Sequence, residues 1–178
     1  MEHLAMEIAL LGAVGTAITF GLILFRFNIN RAALMSQIIK LTRANNLDRA
    51  VKLCNVVPHA VTVRGIKAVL MLLERNMSDM DSATIRQAYE KAEEPARGSL
   101  RTVMAANALS ELLILVGLAI QFLHDKDTAV FQRIETVIPL IAGALGAWGL
   151  AKGAGHLRAS KAVGEQMLSL AIEHQMKQ

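Results

Sequence analysis

Three long runs of apolar residues constrain the fold of this chain more than any other feature. They cover residues 8–27, 103–123 and 134–151, and each is close to the roughly 20 residues with which an α-helix crosses a bilayer. Apolar residues are thus bunched into blocks instead of recurring with the period of a soluble helical core. The sequence therefore predicts an all-α membrane protein with three transmembrane helices.

Composition argues against several other classes of protein. The net charge is +4, but only 4% of the 178 residues are aromatic, which does not favour a nucleic-acid interface. The single cysteine, Cys54, excludes an internal disulfide framework, and the five histidines lack the spacing of a metal site. No glycine-rich phosphate loop occurs. We therefore expect no catalytic residues, no cofactor, no metal and no nucleic-acid partner, and do not expect an enzyme.

The distribution of basic residues predicts the orientation in the membrane. Lys and Arg number thirteen in residues 26–101, two in residues 124–133 and four from residue 152 onward, with none before Arg26. Cytoplasmic loops carry the excess of Lys and Arg, so residues 28–101 and the C-terminal tail are expected in the cytoplasm. The N-terminus lacks the basic start of a cleaved signal peptide, so the first run is expected to stay as a helix facing outward at its N-terminus.

Four segments follow from these patterns. They are an N-terminal transmembrane helix (1–27), a cytoplasmic helical segment (28–101), a transmembrane helical hairpin (102–152) and a cytoplasmic helical tail (153–178). Within the cytoplasmic segment, apolar periodicity predicts helices at 32–41, 47–57 and 61–73, and a further helix that continues from Ser82 into the second span. The charge-rich residues 86–101 are expected to form a solvated helix face.

Local sequence adds a family resemblance. Residues 38–54 (IIKLTRANNLDRAVKLC), followed by Pro58 and the apolar helix at 61–73, resemble the first cytoplasmic helices of the ExbB/TolQ/MotA family of proton-channel subunits. The order of the four segments is also similar. The resemblance implies a homo-oligomeric ring, usually a pentamer, around a single-span partner like ExbD, TolR or MotB. It implies a multi-pass protein of the bacterial inner membrane that couples the proton gradient to mechanical work or transport.

The two pore-lining spans differ from the family pattern. The family usually has a Gly-Leu-Leu-Gly-Thr type motif in the second span and a pore-facing threonine in the third. Here the corresponding regions read ELLILVG at 111–117 and IPLIAG at 138–143, without those hydroxyls. Two alternatives to a conducting subunit therefore stay open, namely a non-conducting membrane scaffold and an accessory subunit of a larger membrane complex.

Glu111 is the main candidate for a proton pathway or a partner contact. It lies about ten residues after Arg101, which is roughly 15 Å along a helix and close to the bilayer midplane. An ionised side chain there costs about 2.5 to 3.5 kcal/mol, so it must face protein, water or a partner. Asn107 lies one turn earlier on the same face. The alternative is that both residues only hold helices together by hydrogen bonds.

Glu135 and Thr136 form a second candidate pair. They lie near the outer end of the third span, beside Arg133. They are included as a possible part of the proton pathway or of a partner contact. The alternative is an interfacial ion pair at a helix N-terminus, where an acidic side chain is favoured by the helix dipole.

Small residues recur along the third span. Gly143, Gly146, Ala147 and Gly149 supply small-xxx-small spacings on two faces of the predicted helix. Such spacings let transmembrane helices approach closely, because lipid offers no hydrophobic advantage for helix association. We expect these residues to pack helices of neighbouring subunits against one another, with packing inside one subunit as the alternative.

Overall fold

The computed structural model describes residues 2–75, 81–124 and 134–176. Within these ranges the chain is about 90% helical and contains no strand, which confirms the all-α prediction. Three of the helices are long and apolar enough to cross a membrane. This fits a multi-pass membrane protein.

The helices follow the predicted order. They are α1 (Glu2–Leu22), a π-helical turn (Ile23–Phe27), α2 (Arg31–Arg43), α3 (Leu47–Cys54), α4 (Val61–Glu74), α5 (Ser82–His124) and α6 (Ile134–Gln175). Asn45 has a positive φ of 54° between α2 and α3, a conformation that Asn tolerates better than most residues. The helix predicted at 47–57 ends earlier, at Cys54, because Pro58 disfavours helical geometry just before it.

Helices α5 and α6 are unusually long, with 43 and 42 residues. Both continue beyond their apolar runs, as predicted, and α5 passes through Pro95 without ending. Asp81 precedes α5 and accepts a hydrogen bond from the backbone N–H of Thr84 at 2.8 Å, which makes it the N-cap. Hydrogen bonds from Thr84 also lower the pKa of Asp81. The residues just before this cap, 76–80, and the hairpin link at 125–133 lie outside the described residues.

The chain divides into two compact units. Unit 1 comprises Met1–Arg26 and Leu100–Ala154, and unit 2 comprises Phe27–Ser99 and Gly155–Gln178. Helices α5 and α6 therefore each contribute one part to unit 1 and another part to unit 2.

Unit 2 has a core of apolar side chains. Its most deeply buried members include Ile38 of α2, Ile66 and Leu70 of α4, and Met167 of α6. The ring of Tyr89 on α5 lies against α4 and α6 at two glycines, where no side chain interrupts the contact. A Cβ on Gly65 would lie 2.6 Å from the ring, and one on Gly164 would lie 3.1 Å from it. These contacts explain why both positions lack a side chain.

One expectation about unit 2 is wrong. The stretch 86–101 is not uniformly solvated, because Glu93 is only 1% exposed. Its position on the inner face of α5, next to α6, overrides the solvated face that a mixed-charge sequence predicts. Cys54 of α3 is buried in the core of this unit.

Unit 1 differs from unit 2 in that small residues make its helix contacts. Helix α1 packs on α5 through small residues, and a Cβ on Gly117 of α5 would lie 2.6 Å from the backbone oxygen of Ala5. Ala9 is buried at the same contact. Most of the large apolar side chains point outward, and only a few, such as Ile23 and Ile114, are buried. The exposed ones include Leu11, Ile18, Leu109, Leu115, Phe122 and Ile141. Helices of this kind suit a surrounding of lipid, where large apolar surface needs no cover.

Candidate functional site

The candidate site lies in unit 1, where polar side chains of α1 and α5 meet inside an otherwise apolar bundle. The buried ones are Thr16, Thr19, Asn107 and Ser110. A polar group in such surroundings requires a hydrogen-bond partner within the protein, because lipid supplies none. The hydrogen bonds of these residues therefore define the site.

Asn107 joins three helices. Its Oδ1 accepts a hydrogen bond from Thr19 Oγ1 of α1 at 2.6 Å, and its Nδ2 donates to the backbone oxygen of Gly146 on α6 at 2.9 Å. The Thr19 hydroxyl also lies within reach of the backbone oxygens of Gly15 and Thr16. Since a hydroxyl has one hydrogen, it donates to one of these acceptors at a time. Asn107 is fully buried, so these bonds replace water.

Glu111 lies one turn after Asn107 and also faces α1. The Thr16 hydroxyl donates a long hydrogen bond of 3.5 Å to Glu111 Oε1. The Glu111 side chain is half-buried, in contrast to Asn107. The site therefore contains one titratable group with partial access to its surroundings.

Glycines of α6 make the space that the carboxyl group of Glu111 occupies. A Cβ on Gly146 would overlap Glu111 Oε1, and a Cβ on Gly143 would lie 3.5 Å from Oε2. A Cβ on Gly149 would lie 3.0 Å from the ring of Phe20 on α1. The carboxyl group thus lies over bare helix backbone.

These contacts bear on the predicted packing role of the small residues. For Gly143, Gly146 and Gly149, the contacts are with helices of the same chain, which is the alternative considered above. Ala147 lies on a different face of α6 and is exposed. Packing between subunits stays a prediction. Of the four small residues, Ala147 is the one whose exposed position leaves it free to contact another subunit.

The second candidate pair lies farther along α6. Thr136 is buried and lies seven residues before Gly143, about 10 Å along the helix axis. The side chain of Glu135 and the whole of Arg133 lie outside the described residues. A role for this pair in a proton pathway stays a prediction.

An aromatic pair and a lysine lie at one end of the site. The rings of Phe20 on α1 and Trp148 on α6 are 5.4 Å apart, and the Nζ of Lys152 lies 5.5 Å from the Trp148 ring centroid. A cation over a tryptophan face is attracted by the ring electrons. This arrangement fits the boundary between an apolar span and its polar surroundings, where amphipathic side chains collect.

Sequence reasoning found Asn107 and Glu111 but missed their partners. Thr16 and Thr19 lie on the α1 face that is buried against α5, and that face is otherwise made of small residues. The signal was present as the spacing Ala5-xxx-Ala9-xxx-Ala13, which continues to Thr16 and marks a close-packing face.

The site offers proton chemistry and helix cohesion. Its groups are one carboxyl, two threonine hydroxyls and one amide. Among residues 2–75, 81–124 and 134–176, no cluster of three His, Cys, Asp or Glu side chains could hold a metal ion. No family model, curated protein or solved structure matches the chain. The functional interpretation therefore rests on this geometry and on the sequence resemblance.

Proposed function

We propose that the chain is a subunit of an oligomeric inner-membrane complex of the ExbB/TolQ/MotA kind, which couples the proton gradient to mechanical work or transport. In this proposal Glu111 accepts and releases the proton. The single observation that carries the proposal is a half-buried carboxyl group inside the apolar part of α5, beside a threonine hydroxyl. Ionisable residues at such positions are costly and usually belong to a functional pathway.

The surroundings of Glu111 suit both protonation states. The Thr16 hydroxyl can donate to an ionised carboxylate, and it can accept from a protonated one. The glycines at 143 and 146 leave room for the carboxyl group, and its half-buried state leaves a route for exchange with water or a partner. A carboxyl group that served only to fill space could be replaced by an apolar side chain without the cost of burial.

The proposal also includes orientation and partners. The thirteen basic residues in 26–101 support a cytoplasmic position for this segment, with the N-terminus on the other side. The large apolar side chains on the outside of unit 1 support contact with lipid and with other spans. A homo-oligomer, pentameric by resemblance, and a single-span partner like ExbD or TolR follow from the family pattern.

The assembly is tested by native mass spectrometry on the full chain, purified through an affinity tag from its own membranes in a mild detergent. The proposal predicts several copies of the chain bound to a smaller protein with one transmembrane helix. A monomer without such a protein would refute it. An Ala147→Leu variant adds bulk to an exposed small residue and is expected to reduce the number of copies, whereas Leu140→Met on the same helix, also exposed, serves as the control.

The orientation is tested by labelling introduced cysteines in intact cells. We expect Asp127→Cys to react with an impermeant thiol reagent from outside, and Ser82→Cys to react only after the membrane is opened. The native Cys54 is buried and gives a low background. The reverse pattern of labelling would contradict the proposed topology.

A non-conducting scaffold is the second candidate. The observation in its favour is that Asn107 satisfies its hydrogen bonds within the chain and that Glu111 is bonded to Thr16 in the same way. In a scaffold these residues would only hold α1, α5 and α6 together. The two candidates differ in what a Glu111→Gln substitution does, since Gln keeps the shape and hydrogen bonding of the side chain but cannot titrate.

A further inference from the structure

A second buried carboxyl group lies in unit 2. Glu93 on α5 is 1% exposed, and its Oε1 accepts a hydrogen bond from the hydroxyl of Ser160 on α6. Glu93 lies ten residues before the apolar run that begins at Val103, so it is outside the membrane-spanning part of α5. The proposed function makes no use of it.

The contact around Glu93 is closely built. Tyr89, one turn earlier on α5, donates a hydrogen bond from its hydroxyl to the backbone oxygen of Ser160 at 3.1 Å. Ser160 therefore receives one bond from α5 and donates another to it. The Tyr89 ring fits between Gly65 and Gly164 without space for a Cβ at either. A change in the charge of Glu93 therefore acts directly on the tightly packed contact between α5 and α6.

The charge of an ionised Glu93 is incompletely balanced. The nearest cation, Arg97, has its Nε 3.9 Å from Glu93 Oε1, which is too far for a hydrogen bond, and this buried Nε has no hydrogen-bond partner. Arg86 is engaged with Glu165 of α6 at 3.0 Å. The pocket beside Glu93 is lined by further charged side chains, Glu90 of α5 and Lys161 of α6, whereas α4 contributes only the apolar Val69.

The balance of these effects favours a bound proton. Burial raises the pKa of Glu93 to about 7, the positive charge of Arg97 opposes this rise, and the negative charges of Glu94 and Glu90 add to it. The adjoining pocket, about 250 Å³ in volume, gives a proton a route to the buried group.

We propose that Glu93 is a proton-binding site that fastens α5 to α6 in unit 2, and that loss of its proton loosens this contact. With the proton bound, the neutral carboxyl group and Ser160 share a hydrogen bond in a closely packed, uncharged setting. Without it, a poorly balanced negative charge is left inside the unit. This site is separate from Glu111 and does not depend on the proposed function.

The sign of the pH dependence follows from the direction of the shift. The folded chain holds the Glu93 proton more tightly than the unfolded chain, in which the pKa is near 4.5. The stabilisation is therefore fully present below pH 4.5 and is lost as the pH rises through about 7. A loosening of the α5–α6 contact between pH 6 and 8 is the expected result.

Hydrogen–deuterium exchange of the full chain in lipid nanodiscs tests this, with rates corrected for the intrinsic effect of pH. In the wild type, peptides from 82–99 and 155–170 should lose protection between pH 6 and 8. Glu93→Gln should keep that protection at both values, because its amide cannot ionise. Glu90→Gln, at an exposed position on the same helix, should behave like the wild type. Equal pH dependence in Glu93→Gln and the wild type would overturn the proposal.

An infrared titration keeps the test valid even if Glu93→Gln does not fold. The wild type and Glu111→Gln, which removes the other carboxyl group proposed to bind a proton, should both show the carbonyl band of a protonated carboxyl group at pH 6 and lose it by pH 8. Ser160→Ala removes a donor to the ionised form, so the loss of the band should move to higher pH. A wild type without this band at pH 6, or an unchanged midpoint in Ser160→Ala, would refute proton binding by Glu93.

Discussion

The two units of this chain bury opposite kinds of side chain. Unit 2 places Ile66 and Leu70 at its centre, fully buried, as a protein in water does. Unit 1 buries Ala5, Ala9 and Asn107 and leaves most of its large apolar side chains outside, with Ile23, Leu100 and Ile114 as buried exceptions. In water, removal of apolar surface drives packing, whereas in lipid close fit and hydrogen bonds drive it. The difference supports the proposal that lipid surrounds unit 1 and that water surrounds unit 2.

The two long helices follow both rules along their length. The first part of α5 packs Ile85 and Tyr89 into the core of unit 2, and the later part packs Asn107 and Gly117 against α1 in unit 1. Both parts belong to one uninterrupted helix. The packing rule therefore changes along α5 without any break in its secondary structure.

The largest effect is expected from a cavity in unit 2. Ile66→Ala should lower the free energy of unfolding of this unit by about 2 to 5 kcal/mol, because a fully buried side chain leaves a cavity. Met71→Ala on the same helix, where Met71 is 40% exposed, should change it by less than about 0.5 kcal/mol. Chemical denaturation followed by exchange of α4 peptides measures both. Similar losses of unfolding free energy in the two variants would contradict a core of unit 2 that is stabilised by buried apolar side chains.

The opposite substitution should damage unit 1. Gly117→Leu inserts a side chain where even a Cβ would lie 2.6 Å from the backbone oxygen of Ala5 on α1. Overpacking of this kind costs about 1 to 3 kcal/mol. Val116→Leu, at the exposed neighbouring position, is the control. Unfolding in mixtures of mild and denaturing detergent gives the difference. If both variants behaved like the wild type, α1 would not pack on α5 through Gly117.

A smaller effect is expected from the hydrogen bonds of Asn107. A double-mutant cycle with Thr19→Ala and Asn107→Ala should give a coupling energy of about 0.6 to 1.7 kcal/mol, which is the range for bonds between transmembrane helices. The same detergent unfolding assay supplies the four free energies. Additive effects of the two substitutions would mean that the bond contributes nothing to stability.

The smallest effect is expected on the reactivity of the thiol of Cys54, the single cysteine of the chain, which lies in unit 2. Burial raises its pKa to about 11, so almost no reactive thiolate is present near pH 7. Maleimide should label the folded chain at least tenfold more slowly than the chain unfolded in denaturing detergent. Equal labelling rates would show that α3 readily unfolds from unit 2 and that Cys54 is not protected by the core.

The sequence was sufficient for the helices but not for their partners. Apolar runs and helical periodicity predicted the spans and the helix that continues from Ser82 into the second span, because these signals are local along the chain. Thr16 and Thr19 were missed because their role depends on which face of α1 meets Asn107, and spacing alone does not say which helices are neighbours. Glu93 was misjudged for the same reason. Its flanking charges are typical of a solvated face, and only the packing of α6 buries it.

The small residues of α6 illustrate the same limit. Their spacing predicted close approach between helices, and Gly146 does approach its neighbours closely. Whether that neighbour belongs to the same chain or to another subunit depends on tertiary structure. Here the carboxyl group of Glu111 and the side chain of Thr16 occupy the space beside Gly146.

Proton uptake through Glu111 tests the central proposal most directly. The assembly, purified with its partner and reconstituted in liposomes, is given a membrane potential, and a trapped pH-sensitive dye reports proton entry. The account predicts uptake by the wild type, a loss of at least tenfold in Glu111→Gln, and no loss in Glu7→Gln, an exposed carboxyl group near the start of α1. Undiminished uptake in an intact Glu111→Gln assembly would contradict the proton role and favour the scaffold.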